Sequence, residues 1–273
     1  MASANSIPDA HPQQIDPQSA ELGDDEPLLG RAGGASQPEG RALFHNLIIE
    51  LGILKSNPSL TDPGTAVIAQ GGLILLTAIV WASIFLHPLS LFSAHPLLNS
   101  SGIFIFAESI LLLQPTHTPE QKRRGTIAHA VLNTLAADAL LAGLVIIEYN
   151  KFAHDAIHFT SPHGILGLIT YIFLAIQVLI GFTQYFVPQL YGSADTAKAM
   201  YKWHRLSGYI VLSMMLATVA AATETDTGKG FLKLKLWAVL VSAALVLIGV
   251  LPRIKKQKLG LPTRQTGGLG SGP

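Results

Sequence analysis

Residues 163–187 read HGILGLITYIFLAIQVLIGFTQYFV, 25 positions without a single Asp, Glu, Lys or Arg. As a helix rising 1.5 Å per residue, this stretch is about 37 Å long, more than the roughly 30 Å of hydrocarbon in a bilayer. In lipid a separate apolar run must satisfy its backbone polar groups internally, and a helix is the form that does so. Five further runs of this kind lie near 65–86, 96–114, 126–147, 203–222 and 231–251. The composition agrees, with 49% hydrophobic and 13% charged residues against the roughly 25% charged of an average soluble domain. Pro58, Pro63, Pro88, Pro115, Pro119, Pro162, Pro188 and Pro252 fall between or at the edges of the runs, where a missing N–H costs little. The fold expected is an all-α integral membrane protein, a bundle of six transmembrane helices.

Three regions follow. Residues 1–64 hold 9 of the 17 acidic residues and 3 basic ones amid Gly, Pro, Ser and Gln, a mixture unable to bury a core, and are expected to be a disordered tail. The tail lacks the basic start and apolar stretch of a signal peptide. Within it, Leu43, Phe44, Leu47, Ile48, Leu51 and Leu54 recur at helical spacing between Arg41 and Lys55, which suits a short interfacial helix. Residues 65–251 form the membrane domain and 252–273 a basic C-terminal tail. With the spans placed this way, 14 Lys and Arg fall on one side and 4 (Lys151, Lys229, Lys233, Lys235) on the other, so both termini are expected in the cytoplasm. The run Asp24 to Leu29 has the form of an acidic dileucine sorting signal, which would suit a vacuolar or endosomal membrane.

The absence of cysteine excludes disulfide scaffolds, thiolate zinc sites, iron–sulfur clusters and thioether-attached haem. A net charge of +1 gives nucleic acid nothing to bind. Metal chemistry therefore falls to histidine and carboxylate. His95, His129, His163 and His204 each lie at or near the start of successive spans, 34, 34 and 41 residues apart. Alternation of span direction puts His95 with His163 at one membrane face and His129 with His204 at the other, about 20 Å away along the helices. Two neutral imidazoles facing across a bundle suit the two axial positions of a haem iron, leaving it able to change oxidation state but not to bind a reactant. Gly167 and Gly208 each lie four residues after a histidine on the same helix face, where a flat macrocycle needs room. His11, His45, His87 and His117 have no such pairing, while His154 and His158 stand beside the non-cytoplasmic entrance, where an acceptor would approach. Glu108 and Asp138 fall inside spans and call for a partner, protonation or water; Gln70, Gln177 and Gln184 suit interhelical hydrogen bonds.

His95-Pro96-Leu97, His129, Ser161-Pro162-His163-Gly164, and His204 with Gly208 together resemble the cytochrome b561 family, over about residues 66–251. The resemblance implies a six-helix protein in which helices 2 to 5 form the core around two haem b groups. By that likeness His95 and His163 hold the outer haem and His129 and His204 the inner one. Electrons would pass from a cytoplasmic reductant, typically ascorbate, to monodehydroascorbate or ferric iron. Ascorbate-using members often have a His four residues after the inner ligand and another in the outer loop, where this chain has Asn133 and Asn150. The family's basic residue before the inner ligand corresponds to Arg124, beside Lys122 and Arg123, and an anion would be attracted there. The partners expected are membrane lipid and a small-molecule donor and acceptor, with room left for a homodimer and for a sorting adaptor at Asp24 to Leu29. The rival readings are a His-dependent divalent-metal transporter, which would line mid-membrane with His and carboxylates, and a non-catalytic membrane scaffold.

Overall fold

The computed structural model describes residues 64–114, 116 and 119–254. The acidic tail, the Arg41–Lys55 segment, the Asp24 to Leu29 run, His117 and the basic residues from Lys255 onward lie outside the described residues. Among the described residues seven α-helices follow in order: α1 (Gly64–Phe85), α2 (Leu91–Leu113), α3 (Pro119–Ala153), α4 (Pro162–Phe186), the short α5 (Ala194–Ala199), α6 (Tyr201–Ala222) and α7 (Leu236–Val250). Six helical spans are long and apolar enough to cross a membrane, from Thr65–Phe85 to Leu236–Arg253. The expected all-helical, multi-pass architecture is what the chain adopts.

Local chemistry sets several helix ends. Ser161 caps α4 by accepting the Gly164 N–H at 3.1 Å, with Pro162 at the first helical position, where its fixed φ suits the turn. Ser90 opens α2, its N–H donating to Ser93 Oγ at 3.0 Å. Two boundaries differ from the sequence expectation. The proline after His95 marks no helix start, because α2 already begins at Leu91 and takes Pro96 into its second turn. Helix α3 runs well past 126–147 at both ends, so Lys122, Arg123, Arg124 and Asn150 are helical residues and not loop residues.

The helices pack chiefly in antiparallel pairs: α2 on α3, α1 on α7, and α4 on α6, with α2 also against α1. A single apolar core joins them, including Leu73, Phe106, Leu111, Leu140, Leu212, Met215, Val239 and Val246. The α1–α7 seam is a backbone-to-backbone contact. A Cβ on Gly72 would meet Ser242 O at 2.7 Å, and one on Gly249 would strike Ala69 N and Thr65 O. Close approach of this kind is how helices associate where hydrophobic burial supplies no preference over lipid. The outward faces of α3 and α4 carry exposed Val131, Leu135, Val145, Ile172, Phe173 and Leu179, a surface suited to acyl chains. Of the two carboxylates within the spans, Glu108 is buried with Gln70 Nε2 donating to it at 3.3 Å, whereas Asp138 is exposed on α3.

A leucine at position 249 would have to force this seam apart. Gly249→Leu is expected to destabilise the protein by about 1–3 kcal/mol, the usual cost of overpacking, which thermal unfolding in detergent against wild type would register.

Candidate functional site: two imidazole pairs in separate cavities

Histidines 95 and 163 project from α2 and α4 into one cavity of about 540 Å³, and 129 and 204 from α3 and α6 into another of about 390 Å³. In the first, the two imidazole centroids are 6.2 Å apart with ring planes at 83°. A metal–nitrogen bond of about 2.0 Å on each side, extended to the ring centres, spans about 6 Å, so this separation suits one metal shared between two rings.

The ring orientations are fixed from behind. His95 Nδ1 donates to Gly143 O at 2.9 Å, His163 Nδ1 to Thr218 O at 2.9 Å, and His129 Nδ1 to Ser109 O at 3.1 Å. A carbonyl can only accept, so the proton of each neutral ring is on Nδ1 and Nε2 keeps its lone pair for a metal. These contacts obey an internal symmetry. Ser109 and Gly143 are themselves 34 residues apart, as His95 and His129 are, so α2 and α3 exchange equivalent bonds across a local two-fold axis. Asn99 and Asn133 extend the symmetry, each amide donating at 2.8 Å to the carbonyl of the histidine four residues earlier. Asn133 also reaches Ser109 Oγ at 2.8 Å, and Asn99 accepts from the Tyr171 hydroxyl at 2.6 Å.

Helices α4 and α6 follow the same rule with an offset of 41, which pairs Thr218 with Gln177. Here the symmetry breaks at the fourth histidine. The Gln177 amide nitrogen lies 3.1 Å from Nδ1 and 3.4 Å from Nε2 of His204, near-equal distances that set it against the ring instead of in line with either nitrogen. That amide donates to His204 O at 2.7 Å and its oxygen accepts from Ser207 Oγ at 2.6 Å, so its orientation is fixed. On its other side the ring lies against Gly181, where a Cβ would meet Cε1 at 2.7 Å. Gly208 is needed for the same reason, since a Cβ there would come within 3.0 Å of Gln177 Nε2; Gly167 lines the first cavity with only Thr218 Cγ2, at 3.6 Å, in range.

The other sequence candidates separate. Lys122 is 4% exposed, Arg123 and Arg124 face outward, and none of the three lines the His129–His204 cavity. The cavity draws its positive charge from Arg205, next to His204, and from Arg253, just beyond α7. Among its described lining residues there is no carboxylate. Asn150 and Lys151 line the His95–His163 cavity together with Glu148, Glu224 and Asp226. His158 bonds to Glu148 through Nδ1 and so stands at that rim, while His154 is exposed and turned back onto Asn150 O at 2.7 Å. Asn99 and Tyr171 were legible only as polar residues within spans; the shared His-x3-Asn spacing at 95 and 129 was the available signal. Arg253 had none, because its partner Gln114 lies 139 residues earlier in the chain.

Fold and site together define a class: a multi-pass helical membrane protein organised around histidine pairs shared between helices. The model of the eukaryotic cytochrome b561 family matches residues 94–228, and the chain belongs to this family. Membership implies haem b as a cofactor, and the donor set fits it, with paired neutral imidazoles, carbonyl-fixed Nδ1 atoms and glycine where ring or macrocycle needs space. Similar proteins include a putative transmembrane ascorbate-dependent reductase of Caenorhabditis elegans, 24% identical over 55% of this chain and 61% of its own length. Ascorbate-specific transmembrane electron transporter 2 of Zea mays is 28% identical over 51% of this chain and 61% of its own. A lysosomal membrane ascorbate-dependent ferrireductase of Rattus norvegicus is 28% identical over 47% and 50%. The chain thus matches between half and three-fifths of the length of these relatives.

The Asn133 amide joins two helices at one histidine. Asn133→Leu removes its bonds to Ser109 Oγ and His129 O and is expected to cost about 1–3 kcal/mol, measurable as a lowered midpoint of thermal unfolding.

Proposed function

We propose that this protein carries electrons singly across a membrane through two haem b groups, one held by His95 and His163 and the other by His129 and His204. The observation that carries the reading is the pair of cavities, each receiving two imidazoles from different helices. Haem b held in this way supplies a reversible one-electron couple with both axial positions filled. The residues of the chain do the rest. Gly143, Ser109 and Thr218 hold Nδ1 protons and so orient the rings; the surrounding apolar core of Phe106, Leu140, Leu174 and Met215 excludes water between the two levels.

The charges at the two ends give the transfer a direction. Arg205 and Arg253 make the His129–His204 cavity attractive to an anionic reductant, for which ascorbate is the natural candidate given the relatives' names. At the opposite cavity Glu148, Glu224 and Asp226 outnumber Lys151, an environment that favours a cationic acceptor such as ferric iron over anionic monodehydroascorbate. The excess of basic residues assigns the arginine end to the cytoplasm, and an endomembrane site agrees with the lysosomal relative. Against a metal transporter stands the lack, among the described residues, of any three His, Asp or Glu side chains converging on a point.

The reduced-minus-oxidised absorption spectrum of the purified protein tests the reading: sharp b-type bands with about two haems per chain are expected, as two bis-histidine sites require. His129→Ala and His163→Ala should each remove one spectral component. A preparation that neither contains nor takes up haem rules the reading out, and full haem content in both variants rules out the pairing.

A further inference from the structure

Asn99 and Asn133 are equivalent by the 34-residue offset, yet their amides are anchored from opposite ends. Asn133 is held through its nitrogen, which donates to Ser109 Oγ at 2.8 Å, and Ser109 in turn donates to Phe106 O at 2.7 Å. Its oxygen is buried without a hydrogen-bond partner among the described residues. The position equivalent to Ser109 is Gly143, which has no hydroxyl to offer, and a Cβ there would strike Asn99 Nδ2. Asn99 is instead held through its oxygen, which accepts from the Tyr171 hydroxyl at 2.6 Å. That hydroxyl also lies 2.8 Å from Leu140 O, so it sits where α2, α3 and α4 converge. Counting 41 residues on from Tyr171 leads to Leu212, a fully buried apolar side chain, so the equivalent position on α6 carries no hydroxyl.

The bridge serves one pair of histidines. His95 stands on α2 one turn before Asn99, and His163 stands on α4 about two turns before Tyr171, with all four lining the same cavity. The Tyr171–Asn99 bond therefore ties together the two helices that supply the facing imidazoles, whose planes are 83° apart. It also fixes a dipole. The Asn99 nitrogen donates to His95 O at 2.8 Å and stands 3.2 Å from His95 Nδ1, whose proton is committed to Gly143 O. The positive end of the amide thus faces the imidazole, where it opposes any gain of positive charge. Donation from the tyrosine to the amide oxygen strengthens that polarity.

We propose that Tyr171 is a positioning residue for the haem held by His95 and His163: through Asn99 it locks α4 to α2, sets the angle between the two imidazole planes and raises that haem's midpoint potential. This inference rests on the proposed electron-transfer function and adds to it a residue that makes the two haem sites electronically distinct. Hydrogen bonding behind an axial ligand is one of the levers by which a protein sets a haem potential.

The test uses the full-length, haem-loaded protein in detergent, as wild type, Tyr171→Phe, Asn99→Leu and the double variant. Potentiometric titration followed at the b-type band reads the two midpoint potentials, and low-temperature EPR of the oxidised protein reads the angle between the imidazole planes at each iron. Tyr171→Phe removes one oxygen and keeps the ring, so haem content is expected to stay at the wild-type level. One midpoint potential should fall and the ferric signal of the same haem should move, and this must be the component that His163→Ala deletes. In the double variant the shift should equal that of Asn99→Leu alone, because the hydroxyl acts through the amide. Unchanged potentials and signals in Tyr171→Phe overturn the proposal. So does an equal shift of both haems, the mark of a general loosening of the bundle, or a shift confined to the haem that survives in His163→Ala. Additive shifts in the double variant overturn it as well, since Tyr171 would then act independently of Asn99. Wild-type protein that takes up no haem would instead defeat the electron-transfer reading on which the proposal stands.

Discussion

The hydrogen bond from a histidine Nδ1 to a backbone carbonyl of the neighbouring helix is the constraint on which the site depends. At His95, His129 and His163 it fixes tautomer, ring direction and helix register together. A helix carbonyl is normally occupied by its own N–H four residues on; accepting a second donor uses its other lone pair. The imidazole is thus anchored without opening either helix. Because α2 and α3 exchange such bonds reciprocally, sliding one helix against the other would break both, and the levels of the two histidines are set by the same interface.

At His204 the equivalent position is met by the Gln177 side chain, itself clamped by Ser207 and by His204's own carbonyl. The two cavities differ further in their charge, arginines in one and an excess of carboxylates in the other. A nearly symmetric frame therefore carries two chemically distinct ends. The same scaffold places both histidine pairs, and a few rim residues distinguish their surroundings.

Much of the frame was legible in the chain. The six apolar runs need no partner to be recognised, since hydrocarbon imposes its length and backbone requirements on each run separately. The four histidines were found by their recurrence at one span plus one connection. The second run is expected from 96, whereas α2 begins at Leu91 and takes Pro96 into its second turn, where the proline forgoes one intrahelical hydrogen bond. Lys122 to Arg124 do not line the His129–His204 cavity: net charge near a site can be counted along the sequence, but which side chains line a cavity cannot when the helix start is misplaced by several residues.

By itself the sequence determined the number of spans and which residue types stand at which depth, because these follow from hydropathy and a fixed rise per residue. Tertiary structure alone decided what the side chains meet. The partners of His95, His129 and His163 are backbone carbonyls on other helices, and a carbonyl is present at every position, so no residue type announces it. The entry of Arg253 into the cavity likewise depends on Gln114, 139 positions away in the chain, brought alongside by the packing of α7 and α2 about a common core.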